Sequence, residues 1–130
     1  MTFQLNIVTP DGEFYNGEAE RIIVRTIDGD VCIMPRHTYY VTALATGVAQ
    51  ITIDSKKRQA ACSGGVLTVR DDNVRLCATT FEWDTDIDAD RAERAKTRAE
   101  QLVSDAKTDE DLCLAKAKLS RALTRIDVAK

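Results

Sequence analysis

The chain reads as an α+β protein, a β-sandwich followed by an antiparallel two-helix hairpin. Three observations predict this. All six glycines and both prolines lie before Val66, and every aromatic residue lies at or before Trp83. Turn-prone clusters recur through that first part at roughly 8–12-residue intervals, the rhythm of a sandwich or flattened barrel. From Thr85 to Lys130 glycine, proline and aromatics are absent, alanine is abundant, and apolar residues recur at three- and four-residue steps. The shift from strand-and-turn to helix composition sets a boundary at about Asp84. It divides the chain into a sandwich over 1–84 and a helical hairpin over 85–130.

The strands follow in order. "FQLNIV" alternates Phe3, Leu5 and Ile7 against Gln4 and Asn6. "RIIVRTI" comes after the turn-prone "NGE", and "GVAQITI" ends at the polar turn "DSKKR". "RQAACSGGVLTV" is expected to break at Gly64-Gly65, a pair that tolerates positive φ. "VLTV" then turns at "RDDN" into "VRLCATTF", which makes Asp71 and Asp72 a solvated turn. Asp88 and Asp90 suit the cap and first turn of the first helix, whose face carries Ala92, Ala95, Ala99, Leu102 and Ala106. The second carries Leu112, Ala115, Leu119, Ala122 and Ile126, with Thr108 as its N-cap and Asp111 near the third helical position. A short polar joint between two helices makes an antiparallel hairpin. Its seam is mostly alanine, so each contact buries little area and the hairpin is expected to rearrange at modest cost.

Composition excludes several classes. A formal net charge of -3 lacks the basic excess of nucleic-acid binders. No apolar run approaches the roughly 18 residues of a membrane span. The opening "MTFQLNIVTP" already alternates as a strand, so the expectation is that no leader is removed and that the chain works in the cytoplasm or on a cytoplasm-facing surface. Cys32, Cys62, Cys77 and Cys113 contain no CxxC pair, and the single histidine, His37, has no nearby partner, so they read as small apolar residues in a reducing compartment. "SGGV" lacks the lysine of a phosphate loop. No nucleophile–histidine–acid pattern stands in recognisable context, which argues against an enzyme.

The arginines give the hairpin a chemical reading. If the turn centres near Thr108, Arg91 faces the level of Arg125, Ala95 faces Arg121, and Arg98 sits opposite Lys118. Arg91, Arg94 and Arg98 share one broad face, and Arg121 and Arg125 are i, i+4 neighbours. Up to five guanidiniums thus gather at the open end of the hairpin. Their fork of donors suits phosphate oxygens. The same charges can instead be balanced by Asp86, Asp88, Asp90, Glu93, Glu100 and Asp127.

Several stretches point to a family. "FQLNIVTPDGEFYNGEAERIIV", "GDVCIMPRHTYYVTAL", "GVAQI", "CSGGVLTV" and "DIDADRAERA" occur in the order and spacing of one known group. The chain resembles, over essentially its full length, the epsilon subunit of the bacterial and chloroplast rotary ATP synthase. The resemblance implies a ten-stranded sandwich before the helical hairpin. It implies a non-catalytic central-stalk subunit that couples the gamma subunit to the c-ring. It also implies a mobile tail that reaches the beta subunits of the catalytic head when extended and restrains ATP hydrolysis. The implied location is peripheral, on the cytoplasmic face of the bacterial plasma membrane, with neither nucleic acid nor membrane insertion. No cofactor is required, but some relatives bind ATP on the folded hairpin. Ile87, Asp88, Arg91 and Ala92 match the Ile/Leu-Asp-x-x-Arg-Ala pattern tied to that binding, and Glu82, Arg98, Arg121 and Arg125 match its other positions. Asp30, Met34, Arg36 and His37 fall where relatives face the c-ring. The loop "MPRHTYY" departs from the pattern, with Arg36 in place of the glycine after proline and Thr38, Tyr39 and Tyr40 in place of small, proline and leucine residues. A competing reading is a free-standing ATP-sensing protein.

Overall fold

A computed structural model describes residues 1–129. Eight strands precede a short 3-10 turn at Asp84–Asp86 and two helices. The strands are β1 Phe3–Thr9, β2 Gly12–Ala19, β3 Arg21–Thr26, β4 Gly29–Ile33, β5 Tyr40–Ala43, β6 Gly47–Ile53, β7 Lys56–Arg70 and β8 Asn73–Trp83. The helices are α1 Ala89–Asp105 and α2 Asp109–Ala129. The hydrogen-bonded order is β2-β1-β8-β7-β6-β3-β4, and β5 pairs with β7. This is the expected sandwich followed by a hairpin, with eight strands where the resemblance implied ten.

The long β7–β8 ribbon is what makes one path into a sandwich. Its antiparallel pairing keeps one register from Ala60↔Trp83 to Arg70↔Asn73, skipping Gly64 and Thr79. Yet the buried set changes parity midway. Ala60, Cys62, Phe81 and Trp83 face the core in one half, and Leu67, Val69, Val74, Leu76 and Ala78 face it in the other. The change falls at Gly64-Gly65, with φ 69 and 104. A Cβ on Gly65 would lie 1.8 Å from the Cys77 carbonyl oxygen, so no side chain fits there. The predicted break is therefore a twist within one continuous strand. The ribbon turns over and buries a different face on each side of it.

The core joins the strands. Leu5, Ile7, Ile22, Val24, Ile33, Ile51, Leu67 and Leu76 are completely or almost completely buried. Each contributes about 1.5–3 kcal/mol by burial. Two hairpins use two-residue turns with both central residues at positive φ, Asp54-Ser55 and Asp71-Asp72. Aspartate enters that region more readily than most side chains. The "NGE" stretch is not a turn: Asn16 and Gly17 lie inside β2, paired with Asn6 and Leu5 of β1.

The tail packs in sequence from sheet to solvent. α2 rests on β6, β7 and the 3-10 turn, and α1 packs principally on α2. Both N-caps form as read: Asp88 Oδ1 accepts from the Arg91 N–H at 3.1 Å, and Thr108 Oγ1 accepts from the Asp111 N–H at 3.1 Å. The buried residues of the hairpin are Ala92, Ala99, Ala115, Ala122 and Val128. Leu102, placed on the seam by spacing, is exposed near the tip of the hairpin.

Candidate functional site: a cleft between the tail and the sandwich

Where β8 passes into the tail, three elements enclose a cleft of about 280 Å³. Glu82 lies near the end of β8, and Asp86, Ile87 and Asp88 line the linker. Arg91, Ala92, Ala95 and Arg98 follow on one face of α1, and Arg125 enters from α2. The helical spacing explains the α1 set, since positions three and four apart stand one above another. Arg91 and Arg98 also edge an open groove of about 620 Å³ on the outer side of α1, with Glu93, Arg94 and Thr97.

The arginines are not equivalent. Arg125 Nε donates to Glu82 Oε1 at 2.7 Å, and both side chains are about two-thirds covered. This ion pair joins α2 to the last strand of the sheet. Arg121 does not line the cleft. It borders a narrow crevice between α2 and the outer face of the β7–β8 ribbon, beside Thr46, Ser63, Thr80 and Thr124. Among the described residues, ion pairs involve Arg25, Arg70 and Arg125, and none involves Arg91, Arg94, Arg98 or Arg121. Arg94 lies on the outer groove rather than in the cleft. So seven residues named for nucleotide contact share one cleft, and Arg121 stands apart in the tail–sheet contact. The helix arithmetic places Arg91 level with Arg125, and both line this cleft.

The cleft has chemical polarity. Carboxylates of Asp86 and Asp88 and the apolar Ile87 lie at the linker end, and two guanidiniums without an ion pair among the described residues, Arg91 and Arg98, belong to α1. Asp88 is partly occupied by capping. Hydrogen-bond donors suit one end and oxyanions the other. Asp86 and Ala95 complete the lining. Asp86 was legible as a nearby acid, and Ala95 as a same-face neighbour of Ala92. Among the described residues, no three His, Cys, Asp or Glu side chains cluster as metal ligands would, and no helix is long and apolar enough to cross a membrane.

The second named set is more scattered. Asp30 is the second residue of β4 and accepts from Arg25 Nε at 2.7 Å. Met34 follows the end of that strand, roughly 13 Å away at extended spacing. Met34 is 55% exposed. His37 is half-buried. Its Nδ1 donates to the Thr38 carbonyl oxygen at 2.8 Å, because that oxygen can only accept. Its ring lies 5.8 Å from that of Tyr40. The consecutive tyrosines divide as extended backbone requires: Tyr40 packs against the core and Tyr39 is 65% exposed. Arg36 adopts φ 65, so the position held by glycine in the family pattern keeps a left-handed backbone.

Comparison with known proteins agrees with the two-part layout. A family model described as "ATP synthase, Delta/Epsilon chain, beta-sandwich domain" matches residues 2–84. A second, "ATP synthase, Delta/Epsilon chain, long alpha-helix domain", matches residues 85–130. The chain is thus of the delta/epsilon class. The ATP synthase epsilon chain of Shouchella clausii is 41% identical over 99% of this chain and 96% of its own length. That of Halalkalibacterium halodurans is 40% identical over 98% and 97%. The chain belongs to the ATP synthase epsilon chain family. The fold is shared with a chain in the cryo-EM structure of the Euglena gracilis mitochondrial ATP synthase, OSCP/F1/c-ring in rotational state 1. The TM-score is 0.83 at 21% identity, over 98% of this chain and 81% of that one. A chain of the Tetrahymena thermophila mitochondrial ATP synthase central stalk and c-ring gives 0.72 at 17% identity, over 98% and 96%.

Proposed function

We propose that the chain is a non-catalytic central-stalk subunit whose helical tail takes ATP as a regulatory ligand in the cleft between tail and sandwich. The sandwich couples the gamma subunit to the c-ring, at the periphery of the membrane on its cytoplasmic face. The folded tail holds ATP. The extended tail reaches the beta subunits of the catalytic head and restrains hydrolysis. One observation carries the ligand reading: Glu82 of β8, Arg91 and Arg98 of α1, and Arg125 of α2 line a single cleft. A ligand that touches all three elements favours the arrangement in which they meet, and can shift the tail only by its differential affinity for that state. Arg91 and Arg98 suit phosphate oxygens. Asp86, Ile87 and Asp88 suit the hydroxyls, amine and apolar ring of a nucleoside. No nucleotide chemistry is required of the cleft, only binding.

Calorimetric titration of the full chain with ATP tests this. Saturable binding at or below millimolar nucleotide is expected, weakened about tenfold or more in Arg91→Ala and Arg98→Ala. Absence of saturation at millimolar ATP with the tail folded overturns the ligand reading. Co-purification with gamma and the c-ring checks the stalk role, since a free-standing ATP sensor would run alone.

A further inference from the structure

The segment between β4 and β5 crosses from Ile33 to Tyr40 without joining the strand ladder. Its shape is nonetheless fixed, and the groups that fix it lie more than thirty residues away. The Arg36 backbone N–H donates to Asp72 Oδ1 at 2.6 Å. The Tyr39 hydroxyl donates to Asp71 Oδ1 at 2.7 Å. The Arg70 guanidinium stands 6.0 Å from the centre of the Tyr39 ring and 3.9 Å from Asp71. The two aspartates are the central residues of the β7–β8 turn, at φ 49 and 60. Turns of this kind prefer glycine at the second centre. Aspartate satisfies the same backbone and adds a carboxylate, and both carboxylates are used on the neighbouring loop.

The need for such a clamp comes from Arg36. At φ 65 it holds a conformation that side chains other than glycine enter only at a cost. A charge-assisted bond from its own N–H to Asp72 offsets that cost at the strained residue itself. The hydrogen bond from Tyr39 to Asp71 is also the main cause that raises the Tyr39 phenol above its ordinary value. Held by these two anchors, the loop displays Met34, Arg36 and Tyr39 to solvent, a guanidinium with an apolar group on either side in the chain.

We propose that Asp71 and Asp72 are positioning residues that shape the Met34–Tyr39 loop and thereby the surface this loop presents to its partner. Arg36 and Asp72 form a mutually dependent pair, in which the carboxylate does for arginine what the absence of a side chain does for glycine. The identity of the partner as the c-ring rests on the stalk reading above. The clamp itself does not.

The test uses the full chain and keeps the turn intact. Asp72→Gly preserves the left-handed turn and deletes only the carboxylate. Asp72→Asn keeps an oxygen that can accept the same N–H. Amide exchange at Arg36, followed by NMR, is expected to quicken about tenfold in Asp72→Gly and to stay within about twofold of the parent in Asp72→Asn. Binding to purified c-ring is expected to weaken about tenfold in Asp72→Gly. In an Arg36→Gly background the same change is expected to alter binding by less than about twofold, because glycine holds that backbone unaided. Unchanged Arg36 exchange in Asp72→Gly overturns the clamp. Equal loss of binding with and without Arg36→Gly overturns the mutual dependence. A parent chain that does not bind the ring overturns the ring as partner, and the exchange data then judge the clamp alone.

Discussion

Burial pushes the Cys62 thiol up to about 12, while Cys32, Cys77 and Cys113 are exposed. At about pH 8 its thiolate fraction is then on the order of one in ten thousand. Native alkylation read by mass spectrometry is expected to label three cysteines and spare Cys62 until the chain unfolds. The same shift sets a sign for stability. Unfolded cysteine ionises near its ordinary value of 9.0 and the folded residue near 12. Its contribution is therefore complete below pH 9 and lost as pH rises through about 12. Denaturation midpoints are expected to fall over that window, less steeply in Cys62→Ala. Tyr39 and Tyr15 are also raised, the first mainly by its bond to Asp71 and the second mainly by burial, so both add to the decline at the same alkaline end. The smallest residues matter as much as the titrating ones. Gly65 is demanded by a carbonyl oxygen, and Gly17 leaves room for Tyr15, whose hydroxyl would lie 3.0 Å from an added Cβ.

Among the elements, the tail meets the sandwich through α2, where the described residues include the Glu82–Arg125 ion pair. An alanine methyl contributes about 0.8 kcal/mol by burial, against two to four times that for a core leucine. Under such packing the Glu82–Arg125 pair is a notable share of the docking energy, although partial exposure limits it to about 0.5–1 kcal/mol. Glu82→Gln is expected to raise exchange at α2 amides about two- to fivefold and to leave the β7–β8 ribbon unchanged. No change in α2 would mean the pair does not hold the tail. Much of this level was legible in the sequence. The alternation of Phe3, Leu5 and Ile7, the caps at Asp88 and Thr108, and the level of Arg91 with Arg125 all follow from local periodicity. What could not be read is non-local. Asn16-Gly17 carries a turn signal, yet pairing with β1 overrides it. Asp71 and Asp72 look like a solvated turn because nothing within the turn shows that Arg36 and Tyr39 lie beside it. The separation of Arg121 from the cleft depends on how α2 is rolled against the sheet, which a hairpin diagram does not contain.

For the whole molecule, stability is expected to divide into two levels. The β7–β8 ribbon changes its buried face at Gly64-Gly65 while keeping one register, so neither half of the sandwich can open without the other. Amides around Leu67 and Phe81 should exchange only through global unfolding, and those of both helices through a smaller opening of lower free energy. Native-state exchange in graded denaturant checks this, and a merging of tail and core isotherms at zero denaturant would refute it.

The layering of the tail has a kinematic consequence. α1 precedes α2 in the chain but lies outside it in space. Its first residue is tethered to β8 through the 84–88 linker, and its last to α2 through the short joint. While α2 stays seated, α1 is held at both ends and cannot swing away, however weak the alanine seam. If the tail is released, as proposed above, the inner helix is expected to leave first, an order set by connectivity before any energy is counted.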